Sequence, residues 1–191
     1  ITLHRDTLKG VWHLATVLED TVFANMTDHK WQALVRIKET ATWNLDQLTR
    51  EIPLDAFVGF SSISSMIGNV GQSNYSSANC ALEQIILDRN RAGINGLAVQ
   101  WGAIDNVGVM MKDEAALKNG FTNSICEFQN IDHSINSFHR LLSENGVISS
   151  YEEKRLTDEM DEGEMSVERI QSQFAKILGG DVAQYETAIP L

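Results

Sequence analysis

Four short apolar runs constrain any fold open to this chain. Val11–Ala15 (VWHLA), Ala56–Ser61 (AFVGFS), Leu97–Gly102 (LAVQWG) and Val147–Tyr151 (VISSY) are each nearly continuous in apolar residues rather than alternating. Strands of that kind are covered on both faces. Segments of helical period separate them. In the first, Trp31, Leu34, Val35, Leu45 and Leu48 fall on one stripe, with Thr27 or Asp28 available to cap its start. The second runs from about Asn74 to Arg91, with Ala78, Leu82, Ile85 and Ile86 apolar. The third is expected to begin at Asp132 as N-cap, to show Ile135, Phe138, Leu141 and Leu142, and to stop at Gly146. Strands alternating with helices predict an α/β fold with a parallel sheet and helices on both faces.

After Tyr151 the texture changes. Residues 152–165 carry seven acidic side chains and read as a solvated linker. A new amphipathic helix is predicted from Ser166, with Val167, Ile170, Phe174, Ile177 and Leu178 on one face and Gly179-Gly180 ending it. The expected organisation is therefore a domain over 1–151, an acidic linker over 152–165 and the start of another domain over 166–191.

Bulk properties exclude several function classes. A formal net charge of −11 argues against a nucleic-acid surface. No run of about 18 apolar residues suggests a membrane span. Cys80 and Cys126 are widely separated and lack metal-ligand spacing, so both read as buried free thiols in a reducing compartment, with no metal site.

A few side chains carry chemistry. Lys38 lies on the apolar stripe of its helix, either snorkelling to water or biasing a neighbour's proton affinity. Tyr75 and Asn79 are four apart and share a helix face. Ser61 and Ser62 close an apolar run at what would be the carboxyl edge of the sheet, where open α/β sheets place ligands. Ser64 to Asn74 reads as a flexible loop. A phenol, a lysine cation and a serine hydroxyl together can protonate an alkoxide formed during carbonyl reduction. No side chain supplies reducing equivalents, so a nicotinamide cofactor must. The residues themselves lead to a carbonyl reductase and no further.

The stretches FVGFSSISSMIGNVGQSNYSSANCALEQ (Phe57–Gln84), LAVQWGAIDNVG (Leu97–Gly108) and VWHLATVLED (Val11–Asp20) resemble the ketoreductase domains of fatty acid and polyketide synthases, within the short-chain dehydrogenase/reductase superfamily. The details resemble fatty acid synthases of insects and other animals. The spacings Lys38 to Ser62 (24), Ser62 to Tyr75 (13) and Tyr75 to Asn79 (4) match the family's Lys, Ser, Tyr, Asn tetrad in its synthase form, YxxxN rather than YxxxK. The resemblance implies a Rossmann-like fold and NADPH-dependent reduction of a 3-oxoacyl thioester. By it Tyr75 donates the proton, Ser62 holds the keto oxygen, Lys38 lowers the Tyr75 pKa and Asn79 orients it. His13, Leu14 and Ala15 would lie near the adenosine ribose and Ala103 and Ile104 near the nicotinamide; Val107 to Asn119 would form a lid. His13 by itself reads as a packed imidazole, and His4, His29, His133 and His139 as surface or boundary residues.

The segment Val167–Leu191 resembles the first helix and loop of an acyl carrier protein, whose phosphopantetheine serine this chain does not include. Implied partners are an acyl carrier domain presenting a 3-oxoacyl chain, an upstream half of the same ketoreductase and a second subunit in a cytoplasmic homodimer. No GxGxxG loop occurs in the 191 residues. The resemblance places that loop and the first strands upstream, so the sheet is expected to be partial and the chain by itself inactive. A truncated synthase copy acting only as a structural or interaction segment is the alternative. A free-standing dehydrogenase is disfavoured by YxxxN and the carrier-like tail.

Overall fold

The computed structural model describes residues 7–105 and 126–153. Four parallel strands make the main sheet: β1 (Gly10–His13), β2 (Ala56–Ser62), β3 (Leu97–Trp101) and β5 (Gly146–Ser150), in the order β1-β2-β3-β5. Val11 stands beside Phe57, Phe60 beside Val99, and Val99 beside Ile148. The four strands coincide with the four apolar runs to within a residue or two at each end. A smaller antiparallel pair joins β4 (Cys126–Glu127) to β6 (Glu152–Glu153). The expected linker from Glu152 therefore begins as strand; its remainder and the 166–191 helix lie outside the described residues, as does the expected lid.

Helices α1 (Asp28–Leu34), α2 (Ala41–Thr49), α3 (Ser64–Ile67), α4 (Ser73–Arg91) and α5 (Ile131–Leu141) fill the connections. Successive strand residues point to opposite faces, and each face has its own core. Phe57 and Ala98 join Ile52, Leu54, Leu82 and Ile86 on the face covered by α2 and α4. Val58, Leu97, Val99 and Trp101 pack with Phe60, Phe138, Leu141 and Leu142 on the α5 face. Phe60, Trp101 and Phe138 form an aromatic cluster there, with centroids 5.3–6.2 Å apart.

Between α1 and α2 the chain does not keep an α-helical pitch. Val35–Thr40 forms a π turn. The extra residue rotates the downstream face by about 100°. This corrects the expected stripe: Leu34 and Lys38 are buried, the inward face continues through Thr42, Asp46 and Thr49, and Leu48 is 56% exposed. Lys38 itself is 2% exposed, so it does not snorkel to water.

Thr27 caps α1, its hydroxyl accepting from Lys30 N. The cap of α5 is Asn130 rather than Asp132; the Asn130 carboxamide accepts from Asp132 N, which places Asp132 in the first turn where its charge suits the helix dipole. Ile135 is exposed rather than core. Gly146 does not stop α5, which ends at Leu141; with φ 101° it starts β5. The expected loop from Ser64 to Asn74 opens with the single-turn helix α3 and ends inside α4. Cys126 is buried, but Cys80 is exposed, because it faces outward on α4.

Candidate active site

The carboxyl ends of the parallel strands gather the expected residues at one edge. His13 ends β1, Ser62 ends β2, and Ala103 and Ile104 follow β3. The buried His13 imidazole meets Ile37 O through Nε2 at 2.9 Å. Burial pushes its pKa down, the bond to Ile37 pushes it up, and the Lys38 charge adds a smaller downward push. Leu14 and Ala15 beyond it are exposed. Ala103 and Ile104 are partly buried and held by Gln129, whose N–H donates to Ala103 O at 2.7 Å.

Tyr75 sits in the first turn of α4, and Asn79 follows one turn later on the same face, its Nδ2 donating to Tyr75 O at 3.0 Å. The polar side chains of Asn79, Ser62 and Thr16 lie beside the Tyr75 phenol. Burial pushes its pKa above 10, those neighbouring polar groups pull it back, and the Asp20 charge pushes it further up. The net direction is the reverse of the lowering expected from Lys38: in a site closed by packing, desolvation of the phenolate outweighs the groups that favour it. Asn79 is fully buried, and its Oδ1 has no hydrogen-bond partner. That open acceptor beside a phenol invites a water or a ligand donor.

Lys38 reaches the same strand end by another route. Its ammonium donates to Phe60 O at 2.6 Å, two residues before Ser62. Burial lowers its pKa to about 8. The π turn delivers it there, and Thr42 Oγ1 closes the turn by donating to Lys38 O. The structure thus brings Ser62, Tyr75 and Asn79 together and anchors Lys38 on the strand that carries Ser62.

Of the residues that cover this edge, Gly71, Gln72 and Asn74 belong to the stretch expected as a flexible loop, and the sequence reading missed their partners Glu19, Asp20 and Thr21. The segment after β1 folds against the start of α4: Thr21 N donates to Gly71 O at 2.8 Å, Gln72 Nε2 to Asp20 Oδ2 at 2.8 Å, and Asn74 Nδ2 to Glu19 O at 3.1 Å. Gly71 has φ 77°, a conformation that favours glycine. The one available signal was the adjacent acidic pair Glu19-Asp20. Burial raises the Asp20 pKa, and the bond from Gln72 partly opposes it. Among the described residues no cluster of three or more potential metal ligands occurs, and no helix is long and apolar enough to cross a membrane.

Residues 1–106 match the KR domain family, more than half of the chain. The chain belongs to the KR domain family. This KR chain is 41% identical over 113 residues to the hybrid PKS-NRPS synthetase pynA of Aspergillus niger, covering 59% of the chain and 3% of the synthetase. In three dimensions it is similar to an A-type ketoreductase from a modular polyketide synthase, with TM-score 0.72 and 28% identity over 77% of this chain and 31% of that one. The angucycline C-6 ketoreductase LanV, solved with bound NADP, shares the fold at TM-score 0.63 and 16% identity, over 74% of this chain and 60% of LanV. The KR chain therefore spans only a small part of that synthetase and about a third of the A-type ketoreductase.

Proposed function

We propose that this chain carries the proton-donating and carbonyl-holding half of a ketoreductase site that converts a carrier-bound 3-oxoacyl thioester to the 3-hydroxyacyl thioester. The observation that carries the reading is the gathering of Ser62, Tyr75 and Asn79 at the carboxyl edge of a parallel sheet, with the Ser62 and Asn79 side chains beside the Tyr75 phenol. Ser62 holds the keto oxygen and Tyr75 gives it a proton, a transfer worth about 10²–10⁴ in rate. Asn79 keeps the phenol oriented and offers its open Oδ1 to the water that re-protonates it. Lys38 supplies a buried positive charge at the end of β2.

NADPH, when bound, supplies the reducing equivalents. The residues present fit such a cofactor in one respect: the strand ends leave Leu14 and Ala15 open to solvent at the same edge as Tyr75. His13, Leu14 and Ala15 would hold its ribose end, and Ala103 and Ile104 its nicotinamide end. In this reading an upstream half of the same ketoreductase supplies the glycine-rich loop that holds the cofactor's phosphates.

The finer reading is a cytoplasmic, homodimeric fatty acid synthase of animal type. In it the stretch that follows β6, up to residue 165, forms a linker and 166–191 open an acyl carrier domain whose phosphopantetheine presents the substrate. The sequence likenesses of Phe57–Gln84 and Val167–Leu191 support it. Incubating the whole protein with NADPH and a 3-oxoacyl thioester tests the reaction. Consumption that Tyr75→Phe abolishes supports it; no consumption, or consumption unchanged by the substitution, overturns it.

A further inference from the structure

Glu83 is a buried carboxyl that the proposed reaction does not use. It lies eight residues after Tyr75 on α4, so Tyr75, Asn79 and Glu83 form one i, i+4, i+8 stripe aimed at the end of β2. Glu83 is 9% exposed. No arginine, lysine or histidine pairs with it among the described residues. Instead its Oε1 accepts two hydroxyls, Ser61 Oγ and Ser65 Oγ, the latter at 2.5 Å.

Those two serines bracket Ser62. Ser65 Oγ also lies 2.7 Å from Ser62 O, and Ser64 N donates to Ser62 Oγ at 3.2 Å. The corner from β2 into α3 is therefore held by its side chains as well as by its backbone. Ser65 is tied in turn across the sheet: Gln100 Nε2 donates to Ser65 Oγ at 3.0 Å, and Ser149 Oγ donates to Gln100 Oε1 at 2.6 Å. Gln100 is on β3 and Ser149 on β5. One acceptor atom on α4 thus gathers residues of β2 and α3 and, through Ser65, of β3 and β5.

We propose that Glu83 is a positioning residue for Ser62: by accepting from Ser61 and Ser65 it fixes the β2–α3 corner so that the Ser62 hydroxyl stays aligned with Tyr75. The proposal rests on the ketoreductase reading, in which Ser62 holds the keto oxygen. The carboxyl touches neither substrate nor phenol; it acts through Ser65 and the strand. Its acceptor oxygen is the part that matters, and glutamine keeps a carbonyl oxygen at that position. Misplacement of a reacting group by about 1 Å costs on the order of 100-fold in rate, and a freed serine corner allows displacements of that size.

The test uses the whole protein with NADPH and a 3-oxoacyl thioester, comparing Glu83→Leu, Ser65→Ala and Glu83→Gln with the unaltered enzyme and with Tyr75→Phe. The expected result is a fall of about 10- to 100-fold in kcat per folded molecule for Glu83→Leu, a smaller fall for Ser65→Ala, an unchanged KM for NADPH in both, and recovery of most of kcat in Glu83→Gln. Unchanged kcat per folded molecule in both Glu83→Leu and Ser65→Ala overturns the proposal, as does a Glu83→Gln enzyme as slow as Glu83→Leu. If Glu83→Leu does not fold, Ser65→Ala decides by the same criterion. An unaltered enzyme that reduces nothing, or a fully active Tyr75→Phe, overturns the ketoreductase reading and this proposal with it. An inactive Tyr75→Phe beside fully active Glu83→Leu and Ser65→Ala enzymes overturns the positioning role alone.

Discussion

Arg89 Nη1 donates to Asp46 Oδ1 across 2.8 Å, and solvent reaches neither side chain. The pair ties α4 to α2 beneath the sheet. The guanidinium also gives Nε to Asn95 O at 2.7 Å and lies 4.3 Å from the Phe57 ring centroid. Asp46 has a second partner, Arg50, at 2.7 Å, whose side chain is 34% exposed. Removing one member of a buried pair leaves an uncompensated charge and costs about 3–5 kcal/mol. The two deletions are therefore unequal. Asp46→Ala strands a fully buried Arg89, whereas Arg89→Met leaves Asp46 paired with Arg50. Urea unfolding should show Asp46→Ala as the more damaging; equal losses would mean that Arg50 does nothing for Asp46.

Lys38 carries a pH signature. Unfolded, its ammonium holds a proton up to about 10.5; folded, burial lowers that to about 8. Between those values the unfolded chain binds more protons, so this group's contribution to stability rises as pH climbs from about 8 to about 10.5. Below 8 its buried charge is a constant cost. Lys38→Met is expected to raise stability at pH 7 by on the order of 1 kcal/mol and to remove that alkaline rise. Denaturant midpoints from pH 7 to 10 measure both. A variant less stable than the parent at pH 7 would show that the bond to Phe60 O outweighs desolvation.

His13 reports the same charge from its neighbour. Its pKa is lowered by burial first and by Lys38 last, against the bond to Ile37 O. The unfolded chain therefore binds a proton near pH 6.5 that the folded protein refuses, and stability is lost as pH falls through that region. Lys38→Met should move the His13 imidazole resonances to titrate at higher pH. An unshifted titration would place the lysine charge too far away to matter.

Tyr75 is held protonated through the alkaline range, because burial raises its pKa. The reduction rate should therefore begin to fall near pH 8, where Lys38 loses its charge, and not near 10. A pH–rate profile of the whole protein checks this; a flat profile to pH 10 would remove the lysine charge from the reaction.

Gly59 lies under α4, where an added Cβ would meet Leu82 Cδ2 at 2.6 Å and Cγ at 3.3 Å. Gly59→Ala is expected to destabilise by about 1–3 kcal/mol, the usual cost of overpacking. Leu82→Ala in the same chain should recover part of the loss, and a strictly additive double variant would show that the two positions do not touch.

The sheet was legible in the sequence because strands covered on both faces must be apolar at consecutive positions, as in Phe57–Val58 and Leu97–Val99. The shared face of Tyr75 and Asn79 was legible from their spacing of four. What brings Ser62 to that face was not, since a separation of 13 residues carries no geometry of its own; only the family resemblance suggested it. Asn130 and Asp132 are both good caps, so the start of α5 had two registers that only tertiary packing separates. Nothing in the sequence marks Glu83, and its place as acceptor appears only when β2 and α3 are laid against α4. The π turn left no mark either, because nothing in the run VRIKET, half of it β-branched, distinguishes one helical pitch from the other.

That widened turn behaves as a phase adjuster between two halves of one rod. From within the turn Lys38 reaches the end of β2, and downstream of it Asp46 reaches Arg89. A rod of uniform pitch aligns one of these with the sheet and swings the other aside. Shortening the segment by a single residue would set the reactive edge and the buried ion pair in competition for the same rotation, so the chain's anchoring and its chemistry are geared together through six residues, Val35 to Thr40.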